Sequence, residues 1–342
     1  MTLEPCVNLR TLGYRITGVQ RYLLGLLPHM PSELDSVKPA RALQGIKGHL
    51  WEQLYLPTLL RRRLLWSPGN TGPVGVGRQV LTVHDAASLD HPEWFERKFA
   101  LWYAAMLPAL IRKVRAIITV SHFSKERIVR LTGAEPERVH VVLNGVGKRF
   151  RPADLEAVNQ VRMDFNLTGP YILFVGSLEP RKNLALLLEA WRLGGFDGAT
   201  LAVVGASGHM FPKFHLDSIP EGVRLLGSVK DEILPVLYSG ATAFVYPSIY
   251  EGFGLPPLEA MACGCPVALS DIPAHREVCG ETAMYFDPFI PEDISSRLEW
   301  LLRLDGATRA SLVEQGLHRA ARYTWESAAS DTWRILKLAT NG

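Results

Sequence analysis

Seven short runs, nearly continuous in apolar and β-branched residues, alternate along the chain with longer helical patterns: residues 79–83, 116–120, 139–143, 171–175, 201–204, 243–246 and 266–269. Such alternation specifies an α/β layer structure. A strand that is apolar on both sides must be covered on both, which suits a parallel sheet between two helix layers better than an antiparallel sheet with one wet face. At roughly 100–200 residues per domain, a chain of 342 has room for about two such sheets. The pattern breaks at Asn144-Gly145-Val146-Gly147-Lys148-Arg149-Phe150-Arg151-Pro152, where two glycines and a proline follow a strand. The sequence thus predicts two doubly wound, Rossmann-like domains, residues 1–150 and 151–325, joined there. Ligands of such sheets bind beyond the carboxyl ends of the strands, at loops that open helices, so the chemistry is sought in those loops.

Composition narrows the classes. With 47% hydrophobic and 21% charged residues, the chain carries too much apolar content to remain disordered. No run reaches the roughly 18–20 uninterrupted apolar residues of a membrane crossing. Residues 1–30 lack the charged, apolar and small-residue order of a secretion signal, so a cytoplasmic protein is expected. Cys6, Cys263, Cys265 and Cys279 form no disulfide framework in so long a chain, and Cys263-Gly264-Cys265 lacks the two-residue gap of a zinc knuckle; buried thiols are expected. The net charge of +3 conceals a split, since residues 1–160 hold 22 Lys and Arg against 13 Asp and Glu, and residues 161–342 hold 15 against 21. Basic clusters at Arg61-Arg62-Arg63, at Arg112, Lys113 and Arg115, and at Lys125, Arg127 and Arg130 flank an aromatic stretch of Trp94, Phe95, Phe99, Trp102 and Tyr103. Anionic lipid, a lipid diphosphate or nucleic acid would each satisfy that half of the chain, as would a plain solvated helix face over aromatic core.

The strongest chemical signal is FVGSLEPRKNL at 174–184: a strand ending at Gly176 and Ser177, then a turn through Pro180 that delivers Arg181 and Lys182 to the start of a helix over 184–191. The start of a helix already carries about half a positive charge and ordinarily favours Asp or Glu. Two cations there work against the dipole unless an anion lies between them and it, and a diphosphate fits. The second signal is YPSIYEGFGLPPLEAMA at 246–262, again a strand, a glycine loop and a helix that can open at Pro256 or Pro257, where the missing N–H costs little. Gly252 and Gly254 let backbone N–H groups approach a ligand. Glu251 before the loop, and Glu259 expected in the first helical turn, suit hydroxyl groups, because a carboxylate accepts several hydrogen bonds. Sugar hydroxyls with a phosphate between them match that order.

On these residues, 174–190 and 246–285 resemble the sugar-nucleotide domain of the retaining glycosyltransferases of family four, group 1, which have the GT-B fold. Glu251 and Glu259 stand at that family's Glu-x7-Glu spacing. Thr17-Gly18-Val19-Gln20-Arg21-Tyr22 resembles its glycine turn before the first helix, and Thr82-Val83-His84-Asp85 its strand-end His-Asp; Val120-Ser121-His122-Phe123-Ser124 and Asn144-Gly145-Val146 also fit. The likeness runs from about residue 7 to 335. Thr17 and Gln20 depart from the usual glycine turn, and Gly147 replaces a frequent acidic residue.

The resemblance implies two Rossmann-like domains facing each other across a cleft, with a C-terminal helix, 326–342, returning to the N-terminal domain. It implies that Arg181 and Lys182 hold the donor diphosphate, that Gly18 meets it, that Gly176 and Ser177 line it, and that Glu259 holds the ribose. It places Glu251 and the N–H groups of Gly252, Phe253, Gly254 and Leu255 around the sugar and its phosphate, His84 against the sugar, and the base near Gly227 and Val229. Arg181, Lys182, Glu251 and His84 are the expected catalytic residues. Cleaving the anomeric C–O bond leaves negative charge on the diphosphate, which fixed cations stabilise more in the transition state than in the ground state. No metal and no cofactor are therefore expected, and no Asp-x-Asp pair stands out. Retention of configuration is implied, with front-face attack assisted by the leaving phosphate. The donor expected is a nucleoside-diphosphate sugar, first GDP-mannose. The acceptor expected is a glycan or polyprenyl-diphosphate-linked glycan of cell-surface polysaccharide, reached at the inner face of the cytoplasmic membrane, with no nucleic-acid partner. The alternatives are a nucleotide-sugar 2-epimerase on the same fold, a dinucleotide-binding dehydrogenase, for which no Gly-x-Gly-x-x-Gly appears, and a nucleotide-binding protein without transferase activity.

Overall fold

The computed structural model describes residues 4–13, 18–205 and 219–341. The chain forms two compact units, one of Met1–Glu93, Arg97–Gly145 and Thr324–Gly342, the other of Trp94–Glu96 and Val146–Tyr323.

The first unit carries a parallel sheet of six strands: β1 (Cys6–Asn8), β2 (Asp35–Val37), β3 (Leu65–Ser67), β4 (Gln79–Thr82), β5 (Ala116–Thr119) and β6 (Val139–Val141), in the order β2-β1-β3-β4-β5-β6. β3, β4 and β5 are buried along their whole length, as continuous apolar runs require when helices cover both faces, whereas the edge strand β2 is mostly exposed. Leu81, Ile117, Leu107, Leu110 and Ile128 pack into one core layer. Helix Trp325–Asn341 belongs to this unit, and Arg78 and Arg115 donate to its last carbonyls, Thr340 O at 2.8 Å and Ala339 O at 2.5 Å. Cations at a helix C-terminus satisfy carbonyls that have no partner in the helix itself.

The second unit holds β7 (Tyr171–Val175), β8 (Thr200–Val204), β9 (Val223–Gly227), β10 (Ala243–Tyr246), β11 (Val267–Ser270) and β12 (Met284–Phe286), all parallel, in the order β12-β11-β10-β7-β8-β9. Counted within the unit this is the order 3-2-1-4-5-6 of a doubly wound sheet, whose strand sequence reverses direction between β7 and β10. In sheets of this kind ligands bind at that reversal, beyond the carboxyl ends of the two strands. Among the described residues, five of the twelve strands (β1, β2, β3, β9 and β12) lie outside the seven apolar runs: four are only three residues long and β9 is a half-exposed edge, so none shows as a period in sequence. All four cysteines are buried and unbridged.

Candidate active site

The two loops at the reversal point are tied together before any side chain is considered. After β7 the chain passes Gly176, whose N–H bonds to Val204 O at 3.0 Å, and makes a single tight turn, Pro180–Lys182. Arg181 O then accepts from Ile249 N at 2.9 Å, joining this turn to the loop after β10. As the sequence indicates, Arg181 and Lys182 come just before a helix that begins at Leu184. Asn183, in the left-handed region at φ 56°, separates them from helix Leu184–Leu193 and donates to Pro288 O at 2.7 Å. The cations are thereby turned toward the β10 loop.

There they meet Glu251. Lys182 Nζ donates to Glu251 Oε1 at 2.5 Å and to Tyr246 Oη at 2.6 Å, while Arg181 reaches Glu251 Oε2 at 3.1 Å, Tyr250 O at 3.2 Å and Glu179 Oε1 at 2.8 Å. Lys182, Glu251 and Glu179 are all buried. Burial pushes the Glu251 carboxyl up, but the charges of Lys182 and Arg181 outweigh it and hold the group at about 2. Burial, and then the neighbouring Arg181, push Lys182 down, and burial keeps Tyr246 protonated far above its ordinary range. Two cations and two carboxylates thus share one dry site, where fixed charges act more strongly than in water.

Gly254 caps helix Leu255–Ala262 at φ 104°, a left-handed conformation that side-chain-bearing residues rarely adopt. Because the helix begins at Leu255, Glu259 lies in its second turn, not the first; it is buried and accepts from Tyr238 Oη at 3.3 Å. Gly252, Phe253 and Leu255 complete the loop, with the Phe253 ring edge-on to Tyr323 at 5.9 Å. Gly227 ends β9 with its carbonyl bound by Gly205 N at 2.9 Å, and Val229 lies just beyond the strand. Gly205 must be glycine, because a Cβ there would lie 1.9 Å from Gly176 O; this close approach keeps the carboxyl ends of β7 and β8 together.

Gly18 and His84 belong to the other unit. Gly18 opens helix Gly18–Leu26, with open space where a Cβ would point, while Thr17 of the same motif lies outside the described residues. Gln20 is buried and donates to Thr11 O at 2.9 Å, which fixes the helix start against the preceding turn. His84 follows β4. Its N–H bonds to Asn70 Oδ1 at 2.7 Å, and its Nε2 lies 2.8 Å from Pro68 O. A carbonyl can only accept, so Nε2 carries the proton and Nδ1 presents a lone pair; burial pushes the imidazole below its ordinary value and keeps it neutral.

The structure therefore brings Arg181, Lys182 and Glu251 into direct contact, with Gly252–Gly254 and Glu259 on the same loop and helix. Sequence reasoning passed over Glu179, Tyr238 and His275. Glu179 stands two positions before Arg181, and His275 follows the end of β11; position beside a strand end is the only signal that marks either. Among the described residues no cluster of three or more His, Cys, Asp or Glu is arranged to hold a metal ion, and no helix is long and apolar enough to cross a membrane.

Comparison with known proteins gives the family and the fold. A family model described as glycosyl transferases group 1 matches residues 159–319, and one described as glycosyltransferase family 4 matches residues 56–148. An O-antigen chain mannosyltransferase B of Escherichia coli is 31% identical over 274 residues, covering 78% of this chain and 72% of its own. The O-antigen chain mannosyltransferase RfbU of Salmonella typhimurium is 29% identical over 273 residues, covering 78% and 73%. Among solved structures, Anabaena Alr3699/HepE in complex with UDP and glucose superimposes with a TM-score of 0.76 at 15% identity, covering 98% of this chain and 99% of that one. WaaG, a glycosyltransferase involved in lipopolysaccharide biosynthesis, does so with a TM-score of 0.72 at 16% identity, covering 99% and 100%. The fold is the α/β GT-B fold.

Proposed function

Because this chain belongs to the group 1 glycosyltransferases of family four, and is a glycosyltransferase, we propose that it transfers mannose from GDP-mannose, with retention, to a glycan of O-antigen type. The observation that carries the donor reading is the convergence of Arg181 and Lys182 on the β7–β10 reversal point beside the glycine loop 252–254. Two fixed cations in a dry crevice can take the charge that develops on a departing diphosphate, the role a divalent ion plays elsewhere, and we infer that no metal is needed. Glu251 is assigned to hydroxyls of the transferred sugar and Glu259 to those of the ribose, and the lone pair of His84 suits a sugar hydroxyl. Gly18 is assigned to the diphosphate, and Gly227 and Val229 to the base.

The choice of mannose rests on the names of the sequence relatives, while the HepE complex bound UDP and glucose. The test is thermal: GDP, UDP, ADP and dTDP are added singly, and the true donor's nucleotide raises the melting temperature by mass action. A rise with UDP alone would replace the mannose reading. Proton NMR of the first-formed product then reads the anomeric configuration, and an inverted product refutes retention.

A lipid-linked acceptor is supported by a surface of the first unit. Along the helical segment Gly45–Leu50, Trp51–Tyr55 and Leu56–Leu59, the apolar side chains Ile46 (79% exposed), Leu50 and Leu54 (69%) recur every fourth residue on the outside, followed by exposed Arg61 and Arg62. Trp102, itself partly exposed, meets this segment through His49 at 5.4 Å. Apolar side chains flanked by cations suit the headgroup region of an anionic bilayer.

A further inference from the structure

His275 of the second unit is buried against the glycine loop. It lies in helix Pro273–Cys279 after β11 and is wholly inaccessible. Its Nδ1 sits 2.9 Å from Ser270 O, and because a carbonyl only accepts, Nδ1 carries the proton. Nε2 is left as a lone pair with no hydrogen-bond partner, in a place where an unpartnered polar atom is costly. That edge of the ring faces the donor loop: a Cβ built on Gly254 would lie 3.5 Å from His275 Cδ2 and 3.9 Å from Nε2. The charged and titratable groups around it are Glu251, the strongest charge neighbour, then Lys182, the Tyr246 ring at 5.6 Å, and Tyr285, whose hydroxyl donates to His275 O at 3.2 Å.

Glu251 is neutralised by Lys182 and Arg181. A diphosphate brings at least two negative charges to those same cations. Whatever share of them it takes leaves the buried Glu251 charge less balanced, and His275, on which Glu251 is the strongest charge acting, has in Nε2 a buried nitrogen that can gain a proton. We propose that His275 is a positioning residue that takes up one proton from solvent when the diphosphate binds, its Nε2–H then pairing with Glu251 as the cations turn to the phosphates. The inference rests on the donor-site reading above. Burial holds the imidazole down at about 4 in the free protein, so it begins neutral throughout the physiological range.

A group whose affinity for a proton rises on binding makes binding tighter at low pH, so donor affinity should fall about tenfold per pH unit between the free and bound values. Calorimetry of GDP-mannose, with UDP-glucose as a second arm, at pH 6 in buffers of different ionisation enthalpy reads the uptake directly. Nucleotide sugars have no phosphate that titrates there, so the protons counted belong to the protein. About one proton per site is expected for the wild type and none for His275→Gln, which keeps a polar atom near the Nε2 position without the charge. Should His275→Gln fail to fold, imidazole nitrogen NMR of the wild type answers instead, with both ring nitrogens protonated in the donor complex. Binding with identical heats in all buffers, or an Nε2 still unprotonated in the complex, overturns the inference and leaves the donor site standing. If neither nucleotide sugar binds, the donor site falls and takes this with it.

Discussion

Lys182→Met separates what the buried cation does for the fold from what it does for the reaction. Its ammonium lies 2.5 Å from Glu251 and 2.6 Å from the Tyr246 hydroxyl, in a site with almost no solvent. Deleting one partner of a buried pair costs about 3–5 kcal/mol. Arg181, still 3.1 Å from the other carboxylate oxygen, keeps the cost near the lower end, about 3 kcal/mol. The catalytic loss is independent of that. A cation about 4 Å from a departing phosphate, at an effective dielectric of about 20, is worth about 4 kcal/mol. kcat/KM carries the whole of this and should fall by about 10³, while kcat, which is spared the part already made in ground-state binding, should fall by less. The double variant Lys182→Met/Glu251→Gln leaves no stranded carboxylate, so it should regain most of the stability while turnover stays low. Urea unfolding followed by tryptophan fluorescence reads the first quantity, and initial rates with nucleotide sugar and glycan acceptor the second. Turnover of Lys182→Met within about threefold of wild type, or turnover that returns in the double variant, would refute the assignment of Lys182 to the leaving group.

Acid should expose the same cluster. The Glu251 carboxyl sits at about 2 against an ordinary 4.5, so its stabilising contribution is complete above pH 4.5 and is lost as pH falls toward 2. The melting-temperature gap between wild type and Glu251→Gln should hold steady above about pH 5 and narrow below it, and a gap indifferent to pH contradicts the pairing. Gly254→Ala must place a side chain at φ 104°, 3.5 Å from the His275 ring, and should cost about 1–2 kcal/mol together with the nucleotide-induced thermal shift. Transfer should continue undiminished in EDTA; activity that vanishes there and returns with magnesium would show that Arg181 and Lys182 do not suffice. Leu50→Ser/Leu54→Ser alters exposed side chains only, so the melting temperature should stay put while sedimentation with phosphatidylglycerol vesicles drops about tenfold. Equal sedimentation of both proteins removes the bilayer from the acceptor reading.

Much of this molecule is local in origin. The runs at β4, β5, β7, β8, β10 and β11 are apolar enough on both faces to announce buried parallel strands, and FVGSLEPRKNL and YPSIYEGFGLPPLEAMA carry their turn-forming residues within themselves. Strands such as β1, β2 and β12 stayed hidden because three residues cannot establish a period, and they exist because neighbouring strands already offer unpaired backbone groups. Side-chain type and spacing along the chain were enough to indicate the α/β class and to single out the two loops that the structure joins. Which charges share a dielectric was beyond them. Lys182 and Glu251 stand 69 positions apart and become partners only because β10 pairs with β7, so the loops leaving both strands end at one point. Contact over that distance depends on strand order, and strand order is settled by how the whole sheet packs, which no segment of the chain encodes alone.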